Sequence, residues 1–254
     1  MGSLFTGILA LVDVLSELKK GDVLFLDEIH SLPAVLAEHL YRAIDERAIS
    51  VPVSYEAQVR HITLKLEPFV LVGATTEESV LPRPFHSRFE IRERLDFYSK
   101  AELEEIARER SRELGIAVTK EAASLLAASA RGTPRELHGL LRRSRDLAHI
   151  EKGSLEGALV DQVIAERALS SRGIDPAGLS RVDRRILEVL VSKRRPLGLR
   201  SLSDLIGENP KTVAEVYEPY LFREGYLLCT HRGRVATEKA RKVLQVFRSL
   251  GEAS

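Results

Sequence analysis

The 254-residue chain is 44% hydrophobic and 30% charged, enough apolar material for the core of one large domain or of two to three small ones. A formal net charge of +1 excludes a global bias toward nucleic acid, so any such surface has to be a local basic patch. The single cysteine, Cys229, excludes an intramolecular disulfide and points to a cytoplasmic setting, and no apolar run approaches the ~20 residues of a bilayer span.

Residues 1 to 98 read as an α/β layer. In LFTGILALVDVLSELKK, Ile8, Leu11, Val12, Leu15 and Leu18 recur at helical spacing. The basic residues follow this apolar stretch, the reverse of a signal peptide, so an amphipathic helix packed on a sheet is expected. GDVLFLDEIH then runs four apolar residues into Asp27 and Glu28, and FVLVGATT ends at Thr75 and Thr76. Both read as buried strands. Between them, ISVPVSYEAQVRHITLKLE (49–67) suggests two extended stretches around Ser54 to Gln58. PFHSRF follows the second strand and sets Arg88 between aromatics.

Residues 99 to 172 read as helical. Ser99 and Glu102 form a capping box, and Leu103, Ile106, Ala107 and Leu114 supply the buried stripe. A second helix covers Glu121 to Ala130. A third starts at Thr133-Pro134-Arg135-Glu136, again with a capping box and with proline at the first helical position. SSRGIDPAGLS (170–180) has the composition of a linker. Beyond it, helices are expected around Ile186 to Val191, over SLSDLIG, and from Asn209 as N-cap. YLLCT, the basic turn HRGR, VAT and a last helix complete the plan of a winged helix.

Strand ends are where open α/β sheets place ligands. In phosphoryl transfer one acid can hold Mg²⁺ and a second can orient the attacking water. Asp27 and Glu28 fit those two tasks, and the hydroxyls of Thr75 or Thr76 could bond a phosphate or that water. Arg88 could grip a phosphate bidentately. Arg135 lies in the first turn of a helix, where the macrodipole disfavours a cation unless an anion is bound. Each residue also has a plainer reading: a strand surfacing into a polar turn, threonine capping, a solvated arginine, or an ion pair between Arg135 and Glu136.

Taken in this order, the four features resemble the AAA+ ATPases, and most closely the RuvB family of Holliday-junction branch migration motors. DEIH is similar to that family's Walker B, GATT to its sensor 1, SRF to its arginine finger and RGTPR to its sensor 2. EPYLFREGYL and RGRVAT resemble its C-terminal module. The resemblance implies an α/β fold: an incomplete AAA+ P-loop-type core (1–98), a helical lid (99–172) and a winged helix (173–254). It implies an ATP-driven DNA motor for recombination and repair, with ATP and Mg²⁺ as cofactors. Asp27 would hold the metal, Glu28 activate water, and Thr76 sense the γ-phosphate. Arg88 would complete a neighbour's site in a homo-oligomer, hexameric in the family. Tyr98 would lie near the adenine, and Arg135 would couple nucleotide to lid rotation.

Hairpin 49–67 would hold a RuvA-like junction-binding partner through Val51, Val53, Tyr55 and Val59. From the residues alone, a hairpin that covers its own sheet is as good a reading. Around the winged helix, Arg194, Arg195, Arg200, Lys211, Arg232 and Arg234 could bind duplex or junction phosphates without regard to sequence. Lys211, Arg232 and Arg234 are the candidate DNA contacts, the last two best placed to enter a groove. A solvated basic rim is the plainer alternative.

Three departures qualify the resemblance. A phosphate loop needs G-x-x-x-x-G-K-[ST], and this sequence contains no Gly-Lys dipeptide. The front of the ATPase domain is therefore expected to be missing, through truncation or loss, and the chain alone is expected not to hydrolyse ATP. Glu90 stands where the family commonly has glycine and would compete for Arg88. Cys229 stands where a basic residue is usual. The rival expectation is a catalytically silent DNA-binding or regulatory protein.

Overall fold

A computed structural model describes residues 2–55, 58–152, 157–175 and 177–251, with side chains at 7–51, 61–151, 157–175 and 177–245. It divides into two compact units, 1–94 and 95–254.

In the first unit, helix α1 (Gly2–Glu17) buries Val12 and Leu15 in a core shared with Leu40 and Ala43 of α2 (Ala34–Glu46). Strands β1 (Val23–Leu26) and β4 (Val70–Gly73) run parallel in the register Val23↔Val70 to Leu26↔Gly73. A parallel pair requires a crossover. Here it consists of α2 and the antiparallel hairpin β2 (Ala48–Tyr55) and β3 (Gln58–Lys65).

The expectation of buried strands holds for one face only. Leu24, Leu26 and Leu71 pack against the core with Ile29, Leu40 and Phe85. Val23, Phe25, Val70 and Val72 point the other way and are 60, 58, 52 and 41% exposed. Strand side chains alternate between faces, and this core lies on one side of the pair. In the hairpin, Val51 is buried, whereas the side chains of Val53, Tyr55 and Val59 lie outside the described residues. A short α3 (Arg83–His86) buries Phe85.

The second unit opens with α4 (Lys100–Glu113), α5 (Lys120–Ser129), α6 (Pro134–Lys152) and α7 (Gln162–Ser171), and a short parallel pair β5 (Ala117–Val118) and β6 (Leu159–Val160). Leu103, Leu126, Leu137, Leu140, Leu141 and Leu169 form its core. The Ser99–Glu102 capping box forms: Ser99 Oγ accepts from the Glu102 amide at 3.3 Å, and Glu102 accepts from the Ser99 amide at 2.7 Å. The box expected at α6 does not. Thr133 Oγ1 instead donates to Ala130 O at 3.2 Å, and Glu136 turns to Arg172 Nη2 at 3.2 Å.

Residues 170–180 are no slack linker. Asp175 Oδ1 accepts from the amides of Ala177 and Leu179 at 2.7 and 3.0 Å, its Oδ2 takes Arg184, and Ile174 bridges Ser180. Gly173 and Gly178, both at positive φ, permit the turns, and Asp175 satisfies the turn amides.

Helix α8 (Arg181–Lys193) starts in a capping box of Ser180 and Asp183 and buries Ile186, Leu187 and Leu190. After α9 (Leu199–Ile206), Asn209 caps a third helical run built of α10 (Pro210–Thr212), a π segment (Val213–Tyr217) and α11 (Glu218–Arg223). The widened turn precedes Pro219, which has no N–H for the i→i−4 ladder. Strands β7 (Leu227–Thr230) and β8 (Gly233–Ala236) form the wing, β8 also bridging Leu197, before α12 (Glu238–Gly251).

Candidate functional site

The parallel register sets the carboxyl ends of β1 and β4 side by side, so the loops carrying Asp27-Glu28 and Thr75-Thr76 meet. Glu28 is left-handed (φ 48, ψ 49), a strained conformation for a residue with a side chain. That backbone turn brings its carboxylate to the neighbouring loop. Glu28 Oε2 accepts from Thr76 Oγ1 at 3.2 Å and lies 3.4 Å from the Thr76 amide. Asp27 is exposed, and its Oδ1 accepts the Glu28 amide at 3.0 Å.

His30 joins the group unforeseen. Its Nδ1 stands 2.9 Å from Thr75 Oγ1 and 3.2 Å from Glu28 Oε2. Nothing local in DEIH marks a partner for this histidine. Its half-buried position above the second loop follows only from the strand pairing.

Arg88 projects from the turn after α3 into a ready-made socket. Its Nε lies 3.0 Å from both carboxylate oxygens of Asp45, Nη2 also binds Asp45, and Nη1 binds Pro84 O. The guanidinium lies 4.9 Å over the Tyr41 ring. The competitor for Arg88 is thus Asp45 at the end of α2. Glu90 is exposed, and among the described residues it makes no hydrogen bond or ion pair with Arg88.

Arg135 lies in the second unit, at the start of α6. It is exposed and has no hydrogen-bond or ion-pair partner among the described residues. Glu136, its plainer candidate partner, is taken by Arg172. Arg135 lines a cleft of about 680 Å³ together with Phe97, Pro134, Tyr217 and Tyr220. Tyr98 is half exposed, and its amide donates to Gly132 O at 3.0 Å. Phe97, one residue earlier and not singled out in the sequence, lines the cleft where Tyr98 does not.

The candidate DNA contacts divide. Arg232 is exposed at the wing tip, and its guanidinium has no partner among the described residues. Lys211 is 78% exposed and only loosely paired with Glu215 at 3.8 Å. Arg234 is different: Nε and Nη2 bind Glu218 at 2.6 and 3.0 Å, and Glu218 is 3% exposed. The Glu218 hydrogen bond pushes the Arg234 pKa further up, and the pair ties the wing to α11.

For a nucleotide and its metal, the residues present fit one side. Asp27, Glu28 and Thr76 offer oxygen ligands and a water-orienting carboxylate. Among the described residues no group of three or more His, Cys, Asp or Glu could hold a metal ion. Mg²⁺ keeps several waters and takes phosphate oxygens, so it would depend on the nucleotide for part of its shell. A Gly-Lys phosphate cradle is not in the sequence.

Parallel strands ending in Asp-Glu and Thr-Thr, a helical lid with an exposed arginine at a helix start, and a winged helix define an AAA+ ATPase-type chain with an appended winged helix. Comparison with known families narrows this. Residues 4–95 match the Holliday junction DNA helicase RuvB P-loop domain, 98–175 the RuvB AAA lid domain, and 176–245 the RuvB C-terminal winged helix domain. The chain belongs to the RuvB family.

It is 44% identical over 232 residues to a Holliday junction branch migration complex subunit RuvB of Pelodictyon phaeoclathratiforme, covering 91% of this chain and 66% of the relative. A subunit of the same description from Chlorobium limicola is 41% identical over 244 residues, 95% of this chain and 69% of the relative. The Thermotoga maritima RuvB Holliday junction branch migration motor superposes with a TM-score of 0.71 at 36% identity, over 94% of this chain and 74% of that one. The chain therefore spans about two thirds of the length of such relatives.

Proposed function

We propose that this chain is a subunit of an ATP-driven motor that moves duplex DNA at four-way junctions, in recombination and repair. The observation that carries the reading is the meeting of Glu28 with Thr76 at adjoining strand ends, the arrangement a hydrolytic site needs. Asp27 positions Mg²⁺ and Glu28 orients water. Thr76 reads the γ-phosphate, and Arg135, at a helix start whose dipole favours an anion, couples the nucleotide to lid rotation. Mg²⁺, when bound, neutralises charge developing on the phosphates. Arg88 acts on a neighbour's nucleotide, which makes the working form a homo-oligomer, a hexameric ring. Tyr98 and Phe97 flank the base. Arg232 and Lys211 hold DNA phosphates, with Arg234 bracing the wing behind them. Hairpin 49–67 receives a RuvA-like partner, and the setting is cytoplasmic. Residues 1–98, 99–172 and 173–254 are the functional divisions.

One observation favours a second reading. Arg88 is held by Asp45 of its own chain, which suits a catalytically silent DNA-binding or regulatory subunit that keeps the lid and winged helix. Both readings expect no ATP turnover by this chain alone, and turnover that disappears in Glu28→Gln would refute that expectation. Mixing with a P-loop-bearing homologue separates the two. Junction-dependent stimulation that is lost in Arg88→Ala supports the motor subunit. DNA binding with no effect of Arg88→Ala supports the silent one.

A further inference from the structure

The two arginines of RGTPR stand in opposite surroundings. Among the described residues Arg135 has no partner, whereas Arg131, just after α5, is engaged by the winged helix. Arg131 is left-handed (φ 54), which turns its side chain away from the lid core. Its Nη2 binds Asp183 Oδ2, and its guanidinium lies 4.3 Å over the Tyr220 ring. Asp183 is fully buried, and the same oxygen accepts from the amide and hydroxyl of Ser180 at 2.7 and 2.6 Å. The Arg131 carbonyl accepts from Arg223 Nη2 at 2.7 Å, and the Arg223 guanidinium lies 3.9 Å over Phe97. The loop that leads to Arg135 is thus gripped by α8 and α11 of the winged helix and, through Tyr98 on Gly132, by the strap before α4.

Covalent slack is also removed. Asp175 holds the amides of Ala177 and Leu179, and a side chain at Gly178 would come within 3.1 Å of the Tyr220 hydroxyl. An arginine can fork to a carboxylate and stack on a ring at once, which lysine cannot. A carboxylate buried without its partner is strongly disfavoured. The joint therefore has one well-defined geometry rather than a range of hinged ones.

We propose that Arg131, with Asp183, Tyr220 and Arg223 as further positioning residues, locks the lid and the winged helix into one rigid arm, so that a displacement sensed at Arg135 is delivered to the DNA-binding wing. The displacement rests on the function proposed above. The rigidity is a property of residues 95–254 whatever the chain's activity.

The test uses the full chain and its single cysteine, Cys229, exposed on β7. A spin label there and a second at Glu121→Cys, exposed at the start of α5, report the lid-to-wing distance by pulsed electron resonance. A single narrow distribution is expected. Arg131→Lys keeps the charge but not fork and stack together, and is expected to widen the distribution about twofold. Arg223→Ala, at an exposed position less prone to misfold than Asp183→Asn, is expected to widen it too. Duplex affinity and its salt dependence should stay unchanged in both. A distribution already broad without these substitutions, or equally narrow with both, overturns the proposal. Failure of the wild-type chain to bind duplex DNA would count against the proposed function and leave the distance result decisive for the joint.

Discussion

Arg232 and Arg234 are two positions apart on one glycine turn, yet only Arg232 is free to leave the protein surface. Arg232→Ala is expected to reduce the salt slope of DNA binding by about one, with no change in unfolding free energy. Arg234→Ala strands the buried Glu218 carboxylate and is expected to cost about 3 kcal/mol in denaturant titration. Arg88 poses the same question of partner. To reach a neighbour's phosphate it has to leave Asp45, so Asp45→Ala is expected to raise Arg88-dependent stimulation of a P-loop-bearing homologue by up to about fivefold, the scale of one exposed ion pair. Motifs identified these arginines, because residue type and local order are written in the chain. Their partners were not legible: Asp45 lies 43 positions from Arg88 and Glu218 lies 16 from Arg234. His30 and Phe97 were missed for the same reason, since neither has a local signal that distinguishes it from an ordinary core residue.

Helix and strand patterns were readable where a local rule dominates: capping at Ser99 and Asn209, alternation in β3, apolar spacing in α8. They misled where a tertiary contact took over. Thr133 lost its capping role once Arg172 drew Glu136 away, and the supposed linker at 170–180 became an aspartate-organised turn. The wing depends on Gly233, whose φ of 128 and close approach to the Leu197 carbonyl leave no room for a side chain. Gly233→Ala is expected to cost well over about 1 kcal/mol and to abolish the β8 bridge to Leu197, read as loss of amide protection there. Helix α11 carries a second test. Burial pushes the Tyr220 pKa up, so the folded chain holds this phenol neutral at a pH where the unfolded chain ionises it. Its contribution is fully present below the ordinary tyrosine value of 10.0 and is lost as pH rises above it. Thermal unfolding should therefore shift downward above about pH 10, with Tyr220 the last tyrosine to ionise by ultraviolet difference absorbance.

Across the whole molecule, order along the chain was the most legible feature, because acid pair, threonine pair, finger, lid arginine and wing each carry a chemical signature and only their succession joins them. The half-exposed sheet was not legible: VLFL and VLVG read alike whether one face or two is covered. The family assignment now gives that succession a setting, and the claim that matters most is that Arg88 still acts on a triphosphate held by an adjoining subunit. A P-loop-bearing RuvB homologue deprived of its own finger arginine should turn over ATP poorly, and adding this chain on junction DNA should restore turnover by about 10³-fold or more, the scale of an arginine finger supplied in trans. The same addition with Arg88→Ala should restore none. Equal turnover with and without Arg88, in mixtures that demonstrably co-assemble, would contradict the account.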